Sequence, residues 1–96
     1  MIRHTVVFRL HHAAGSEGEK AFFAAAAPLV DIPGVKNFHK FREVSPKNDF
    51  AYCFAMDFDT QETYDAYSNH PVHDAFVQQI WLRDVADFLE IDLVED

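Results

Sequence analysis

The stretch FAYCFAMDF, residues 50–58, limits the folds open to this chain because it is apolar on both sides of an extended strand. One side carries the large residues Phe50, Tyr52, Phe54, Met56 and Phe58. The other side carries Ala51, Cys53 and Ala55, where a solvent-facing strand would carry lysine, glutamate or threonine. The pattern therefore predicts a sheet that is covered on both faces.

Two helical regions are available to cover that sheet. The first begins with SEGE at residues 16–19, a capping box in which Ser16 bonds the Glu19 amide while Glu19 reaches back. Its apolar stripe is Phe22, Phe23, Ala26, Ala27, Leu29 and Val30. Both regions are needed on the aromatic face. The second face therefore requires another copy of the chain, and we predict a homodimer packed sheet to sheet.

The second helical region contains a break. Asp59 and Glu62 form its N-terminal signature, and Pro71 disfavours helical geometry at the preceding residue, which predicts a break near Asn69. The apolar residues that recur after the break at three and four positions are Phe76, Val77, Ile80, Trp81, Val85 and Phe88. We therefore expect two helical pieces that meet at the sequence YSNHPVHDAF.

The remaining segments have the character of strands and turns. Residues 2–10 alternate strictly, residues 35–44 predict a strand with a bulge or strong twist, and residues 89–93 alternate again. Pro33 and Gly34 suit a type II turn between the first helix and the second strand. The order βαββαβ predicts a single domain over residues 1–96. Its fold class is α+β, a ferredoxin-like sandwich with a four-stranded antiparallel sheet.

The charge of the chain limits its partners. Sixteen acidic residues against eight basic ones give a net charge of −8, which opposes binding to nucleic acid and to anionic membrane surfaces. Cys53 is the only cysteine, so no intrachain disulfide can form. No segment approaches the ~18 apolar residues of a membrane span, and the N-terminal residues lack a signal-peptide core. We expect a cytoplasmic location.

Three polar side chains occupy positions that the pattern otherwise makes apolar: His4 on the first strand, Tyr67, and His73 in the first turn of the last helix. The positive end of that helix would keep His73 neutral and able to accept a proton. Tyr67 could donate a hydrogen bond to a carbonyl or an enolate. Between an alanine-rich helix and a Phe/Met sheet face, the chemistry open to such a pair would be cofactor-free proton transfer on an apolar carbonyl compound.

Two other interpretations of these residues remain open. The first is structural: His70 and His73 cap and space two helices, and the buried ring groups only find hydrogen-bond partners. The second is a metal site, because His70 and His73 are three residues apart and His11 and His12 are adjacent. No carboxylate or thiolate stands at a suitable spacing to complete such a site, so we predict neither a metal nor a cofactor.

Six motifs of the chain belong together: IRHTVVFRL at the start, FF at 22–23, IPGV at 32–35, SPKN at 45–48, FAMDF at 54–58 and YSNHPVHDAFV at 67–77. With them the chain resembles the Dabb family, the stress-responsive dimeric α/β-barrel domains. The most specific element is His-Pro-x-His after an aromatic residue and before a phenylalanine. The resemblance covers nearly the whole chain. It implies a ferredoxin-like subunit whose sheet joins that of its twin to form a dimeric α/β barrel.

One branch of that family is a plant polyketide cyclase that closes a linear tetraketide acid by an intramolecular aldol reaction. Matching to it implies that His73 and Tyr67 are a catalytic pair and that His4 lies in the pocket. It also implies pocket walls at Val6, Phe8, Phe22, Phe54 and Met56. This chain has Ala26 where the cyclase has a tyrosine, and a bulkier wall at Phe54, which implies a different substrate. The family resemblance therefore implies a binder of a small apolar ligand or a cyclase-like lyase or isomerase.

Overall fold

The computed structural model describes residues 1–96 and contains one four-stranded sheet. Its strands are β1 (Ile2–Leu10), β2 (Lys36–Arg42), β3 (Tyr52–Phe58) and β4 (Val85–Leu93). They lie in the order β2-β3-β1-β4, and every neighbouring pair is antiparallel. This confirms the predicted ferredoxin-like α+β fold, with β2 and β4 at the sheet edges.

The helices pack on one face of the sheet around an aromatic core. They are α1 (Glu17–Ala26), α2 (Gln61–Ser68), α3 (Pro71–Phe76) and α4 (Leu82–Asp84). A 3₁₀ turn over Ala27–Asp31 extends α1, and a π-helical segment over Val77–Trp81 joins α3 to α4. The largest fully buried side chains are Phe8, Phe22, Phe58 and Met56. None of the helices combines the length and apolar character that crossing a membrane requires.

The helix starts are close to the predicted ones. Ser16 Oγ accepts from the Glu19 amide at 3.2 Å, as the capping box predicts. The Glu19 carboxylate accepts instead from the Gly15 amide at 3.1 Å, and also from the Tyr52 hydroxyl. The cap of α2 is Thr60, one residue after the predicted Asp59, because the Thr60 hydroxyl bonds the amide three residues on at 3.1 Å.

The predicted break and the predicted turn are both confirmed. The α2 helix ends at Ser68 and α3 begins at Pro71, while His70 Nδ1 caps α3 by accepting from the Val72 amide at 3.1 Å. Gly34 has φ +93°, a conformation that glycine adopts without strain. In β2 the register shifts between Lys36 and His39, which is the predicted bulge.

The end of the last helical region differs from the prediction. The helix ends at Asp84, and Val85 and Phe88 belong to β4, where they pair with Leu10 and Phe8 of β1. Their spacing from Trp81 fits a helical period, but the same residues also fit a strand, since short apolar runs are ambiguous between the two periods. Pairing with β1 satisfies the backbone hydrogen bonds of this segment, so the strand conformation prevails.

The sheet face opposite the helices is apolar along its central row, as the sequence predicts, while the next row also carries His39 and Thr5. Phe41, Cys53, Val7 and Leu89 lie side by side across all four strands. In the next row Ile91 follows Ala55 and Thr5. No element of the chain covers these rows, and Leu89 remains 51% exposed.

Candidate functional site

A cavity of about 230 Å³ lies between the helices and the sheet and is lined by 13 residues, ten of them hydrophobic. The sheet contributes His4, Val6, Phe54, Met56, Phe88 and Glu90. The helical segments contribute Leu29, Tyr67, His73, Phe76, Val77, Trp81 and Leu82. The cavity therefore brings together all three polar residues that the sequence singles out.

Tyr67 reaches the cavity from the last turn of α2. Its side chain is buried, and its ring centroid lies 4.6 Å from that of His73. The hydroxyl has no hydrogen-bond partner in the protein, yet it is not sealed from solvent, so it opens onto the cavity. Burial, together with the nearby Glu90 charge, raises the pKa of Tyr67. The phenol therefore keeps its proton at neutral pH and is available as a donor.

His73 is held in one tautomer by the backbone. Its Nδ1 lies 3.1 Å from the carbonyl oxygen of Ser68. A carbonyl only accepts, so Nδ1 carries the proton and Nε2 of the neutral ring is left as an acceptor. Burial lowers the pKa of His73 from its ordinary value of 6.5. The ring is thus neutral near pH 7 as the sequence predicts, with burial as the largest cause.

His4 belongs to a hydrogen-bond network of three side chains. Its Nδ1 lies 2.7 Å from Asp92 Oδ1 and 2.8 Å from the Tyr64 hydroxyl, and that hydroxyl lies 2.9 Å from Asp92 Oδ2. Because the carboxylate only accepts, the arrangement has His4 Nδ1–H and Tyr64 O–H both donating to Asp92. His4 Nε2 keeps no protein partner. The network orients the ring at the cavity wall.

The sequence reasoning missed Tyr64 and Asp92. Tyr64 precedes Tyr67 by three residues on α2, so both tyrosines share one helix face. Asp92 alternates with Ile91, and Ile91 lies on the outer face of the sheet. If the outer face of β4 is taken as apolar like that of β3, Ile91 lies on it, and the alternating residues Glu90 and Asp92 then lie on the cavity side.

The predicted walls are only partly at the cavity. Val6, Phe54 and Met56 line it, whereas Phe8 and Phe22 do not. Both are fully buried behind the lining, where the Phe8 ring centroid lies 4.9 Å from Phe54 and 5.0 Å from Trp81. The prediction that Phe8 and Phe22 are pocket walls is therefore wrong: both are fully buried and pack against the lining residues Phe54 and Trp81.

Two of the remaining histidines have structural contacts. His70 caps α3, and His12 Nε2 lies 3.2 Å from Asp84 Oδ1. No group of three or more histidine, cysteine, aspartate or glutamate side chains is placed to hold a metal ion. The polar groups of the cavity are the Tyr67 phenol, one imidazole nitrogen each from His4 and His73, and the Glu90 carboxylate; the phenol and imidazoles are suited to proton transfer on a bound molecule.

Comparison with known proteins agrees with the fold. Residues 2–95 match the sequence model of the stress-responsive A/B barrel domain, Dabb. The crystal structure of a Dabb-family protein with a ferredoxin-like fold from Mesorhizobium loti is 47% identical, with a TM-score of 0.95 over 98% of this chain and 95% of that one. Comparison with curated proteins found no significant match.

Two less similar structures share the fold. A dimeric ferredoxin-like protein of unknown function from Thermobifida fusca is 23% identical, with a TM-score of 0.78 over 98% of this chain and 90% of that one. The hydroxynitrile lyase of Passiflora edulis is 14% identical, with a TM-score of 0.84 over 99% of this chain and 93% of that one. At these identities the likeness is one of fold alone.

Proposed function

We propose that this chain, which belongs to the Dabb family of stress-responsive A/B barrel domains, binds a small apolar ligand in its cavity. The observation that carries the proposal is an apolar lining into which only a few polar groups project, which is the usual character of small-molecule sites. A cavity of roughly 150 Å³ holds benzene. The volume of about 230 Å³ therefore suits one ring with a short substituent.

The Tyr67 hydroxyl supports binding over a purely structural role. A buried tyrosine in a filled core normally bonds a protein partner through its hydroxyl, and Tyr67 has none. Its donor is thus left for a molecule in the cavity.

A cavity-filling variant tests the proposal. Wild-type protein is screened against neutral single-ring compounds by NMR, alongside mass spectrometry of molecules that co-purify. Val77 lines the cavity, so Val77→Phe is expected to weaken binding by at least about tenfold through lost volume. Val72, on the same helical run but outside the lining, supplies the control Val72→Phe. Equal affinity in both variants would contradict binding in this cavity.

A second function, a cofactor-free lyase, isomerase or cyclase-like enzyme, is favoured by the neighbouring Tyr67 donor and His73 acceptor. In such a reaction a proton leaves the carbon beside a carbonyl for His73 Nε2, and the electron pair moves to the carbonyl oxygen as an enolate. Tyr67 donates a hydrogen bond to that oxygen, and the imidazolium then returns the proton. The step needs only these two side chains.

Hydrogen–deuterium exchange separates the two functions. Acetophenone has exchangeable protons beside its carbonyl, and NMR in D₂O follows their replacement. An enzyme accelerates the exchange and loses that acceleration in His73→Ala while it still binds. A binder takes up acetophenone without accelerating exchange, and this result would remove the enzymatic alternative.

We also propose that two copies of the chain pack through the apolar outer face to form a homodimer. Support comes from the row of Val7, Cys53 and Leu89, which no element of the chain covers. The Thermobifida fusca protein of similar fold is described as dimeric. A cytoplasmic location stays a prediction from the sequence.

A further inference from the structure

We propose that the cavity selects uncharged ligands, and that Glu90 is the residue that rejects anions. The inference rests on the proposed ligand-binding function and adds to it the class of ligand. Glu90 is the one carboxylate among the lining residues. It pairs with Val6 across the strands and therefore shares the cavity side of the sheet with His4 and Asp92.

No side chain at the cavity supplies a fixed positive charge. The chain has eight lysines and arginines, and none of them lines the cavity. Several are held elsewhere: Arg3 bonds Asp57 at 2.9 Å, Arg83 bonds Asp84 at 2.8 Å, and Lys36 bonds Asp59 at 2.6 Å. A carboxylate ligand would meet the Glu90 charge without an arginine or lysine to offset it.

The two histidines do not replace that missing cation. His73 is neutral, since burial disfavours its charged form. His4 Nδ1 donates to the Asp92 carboxylate at 2.7 Å, so this nitrogen is not a free donor for an anion in the cavity. The phenol of Tyr67 is neutral and offers a single donor. The Tyr67 donor suits the oxygen of an uncharged carbonyl compound. An anion would gain only this one hydrogen bond and would be repelled by the nearby carboxylates of Glu90 and Asp92.

A charge at Glu90 can also protect the sheet edge from pairing, and the test distinguishes this role from ligand selection. It lies on the edge strand β4, where inward-facing charges discourage pairing with another sheet edge. A residue that only protects the edge would change the self-association of the protein when it is replaced. It would not change the ratio of affinities for a neutral and an anionic ligand of the same shape.

The experiment compares acetophenone, benzamide and benzoate, which have equal numbers of heavy atoms and differ in polarity and charge. Affinities for the full chain are measured by NMR titration at neutral pH. Benzoate is expected to bind at least about threefold more weakly than benzamide, because its charge would lie beside the Glu90 carboxylate; Glu90 is solvent-exposed, so screening keeps the repulsion moderate. In Glu90→Gln that ratio should fall by about twofold or more.

Glu95→Gln is the matched control, because it changes the net charge of the chain by the same amount and lies outside the cavity lining. The benzoate-to-benzamide ratio should remain at its wild-type value in this variant. Equal wild-type affinity for benzoate and benzamide overturns the inference but leaves ligand binding standing. Binding of none of the three compounds overturns both. A ratio that falls equally in both variants shows a general charge effect and also overturns the role of Glu90.

Discussion

Replacing the two tyrosines of α2, Tyr64 and Tyr67, with phenylalanine one at a time should distinguish a structural hydroxyl from a functional one. The Tyr64 hydroxyl donates to Asp92 and lies 2.8 Å from His4 Nδ1, whereas the Tyr67 hydroxyl bonds no protein group. Hydrogen bonds to charged partners contribute about 1.5–3 kcal/mol when buried. The Asp92 side chain is 42% exposed, so solvent screening reduces the expected loss in Tyr64→Phe to about 1 kcal/mol.

Tyr67→Phe is the matched variant, with the same chemistry three residues further along the same helix. It removes no protein hydrogen bond, so we expect the free energy of unfolding to change by less than about 0.5 kcal/mol. In Tyr64→Phe the ring should keep its stacking on Phe58, at 5.0 Å between centroids, which limits the change to the hydroxyl.

Urea unfolding followed by the fluorescence of Trp81, the single tryptophan, measures both variants. The protein concentration must be fixed, since association changes the apparent stability. A double-mutant cycle of Tyr64→Phe with Asp92→Asn should give a coupling of about 0.5–1 kcal/mol. Equal destabilisation by Tyr64→Phe and Tyr67→Phe would refute the reasoning, because it would mean that the Tyr67 hydroxyl also has a structural partner.

Three further predictions concern other parts of the molecule. Burial lowers the pKa of His73 below 6.5, so the unfolded chain takes up a proton at a higher pH than the folded chain does. The free energy of unfolding should therefore decrease as pH falls below about 6.5, and His73→Gln should reduce this decrease in urea unfolding measured across the range. Leu89→Lys should convert the proposed dimer to a monomer in light scattering at micromolar concentration, while Leu82→Lys, which is also exposed but lies off the outer face, should not. Gly34→Ala should cost more than about 1 kcal/mol in thermal unfolding, because φ is positive and the new methyl would meet the Thr63 side chain. Gly15 also has a positive φ but has open space around it, so Gly15→Ala should cost less.

The sequence was sufficient for the fold because each local signal agreed with the same topology. The alternation in residues 50–58, the Ser16 cap and the break before Pro71 each specify a local conformation that the structure contains. The end of the last helix could not be fixed in this way. Val85 fits a helical and an extended pattern equally, and only its pairing with Leu10 on a distant strand decides between them.

The candidate site was less accessible to sequence reasoning. Tyr67 and His73 stand out because they are polar residues in apolar patterns, and they do lie at one cavity. Tyr64 and Asp92 carry no such signal, since a tyrosine on a helix and an aspartate near the chain end are ordinary surface residues. Their importance comes from a contact between α2 and the edge strand, which depends on the packing of the whole domain.

Because of the π-helical segment over Val77–Trp81, the shape of the cavity depends on the number of residues between α3 and α4. Two pairs of lining residues, Phe76 with Trp81 and Val77 with Leu82, are five positions apart, which matches the i→i+5 bonding of a π-helix. Deleting one residue here would restore ordinary α-helical bonding and rotate every later side chain by about 100°. A relative that is one residue shorter in this segment should therefore hold a differently shaped cavity even if its wall residues have the same types.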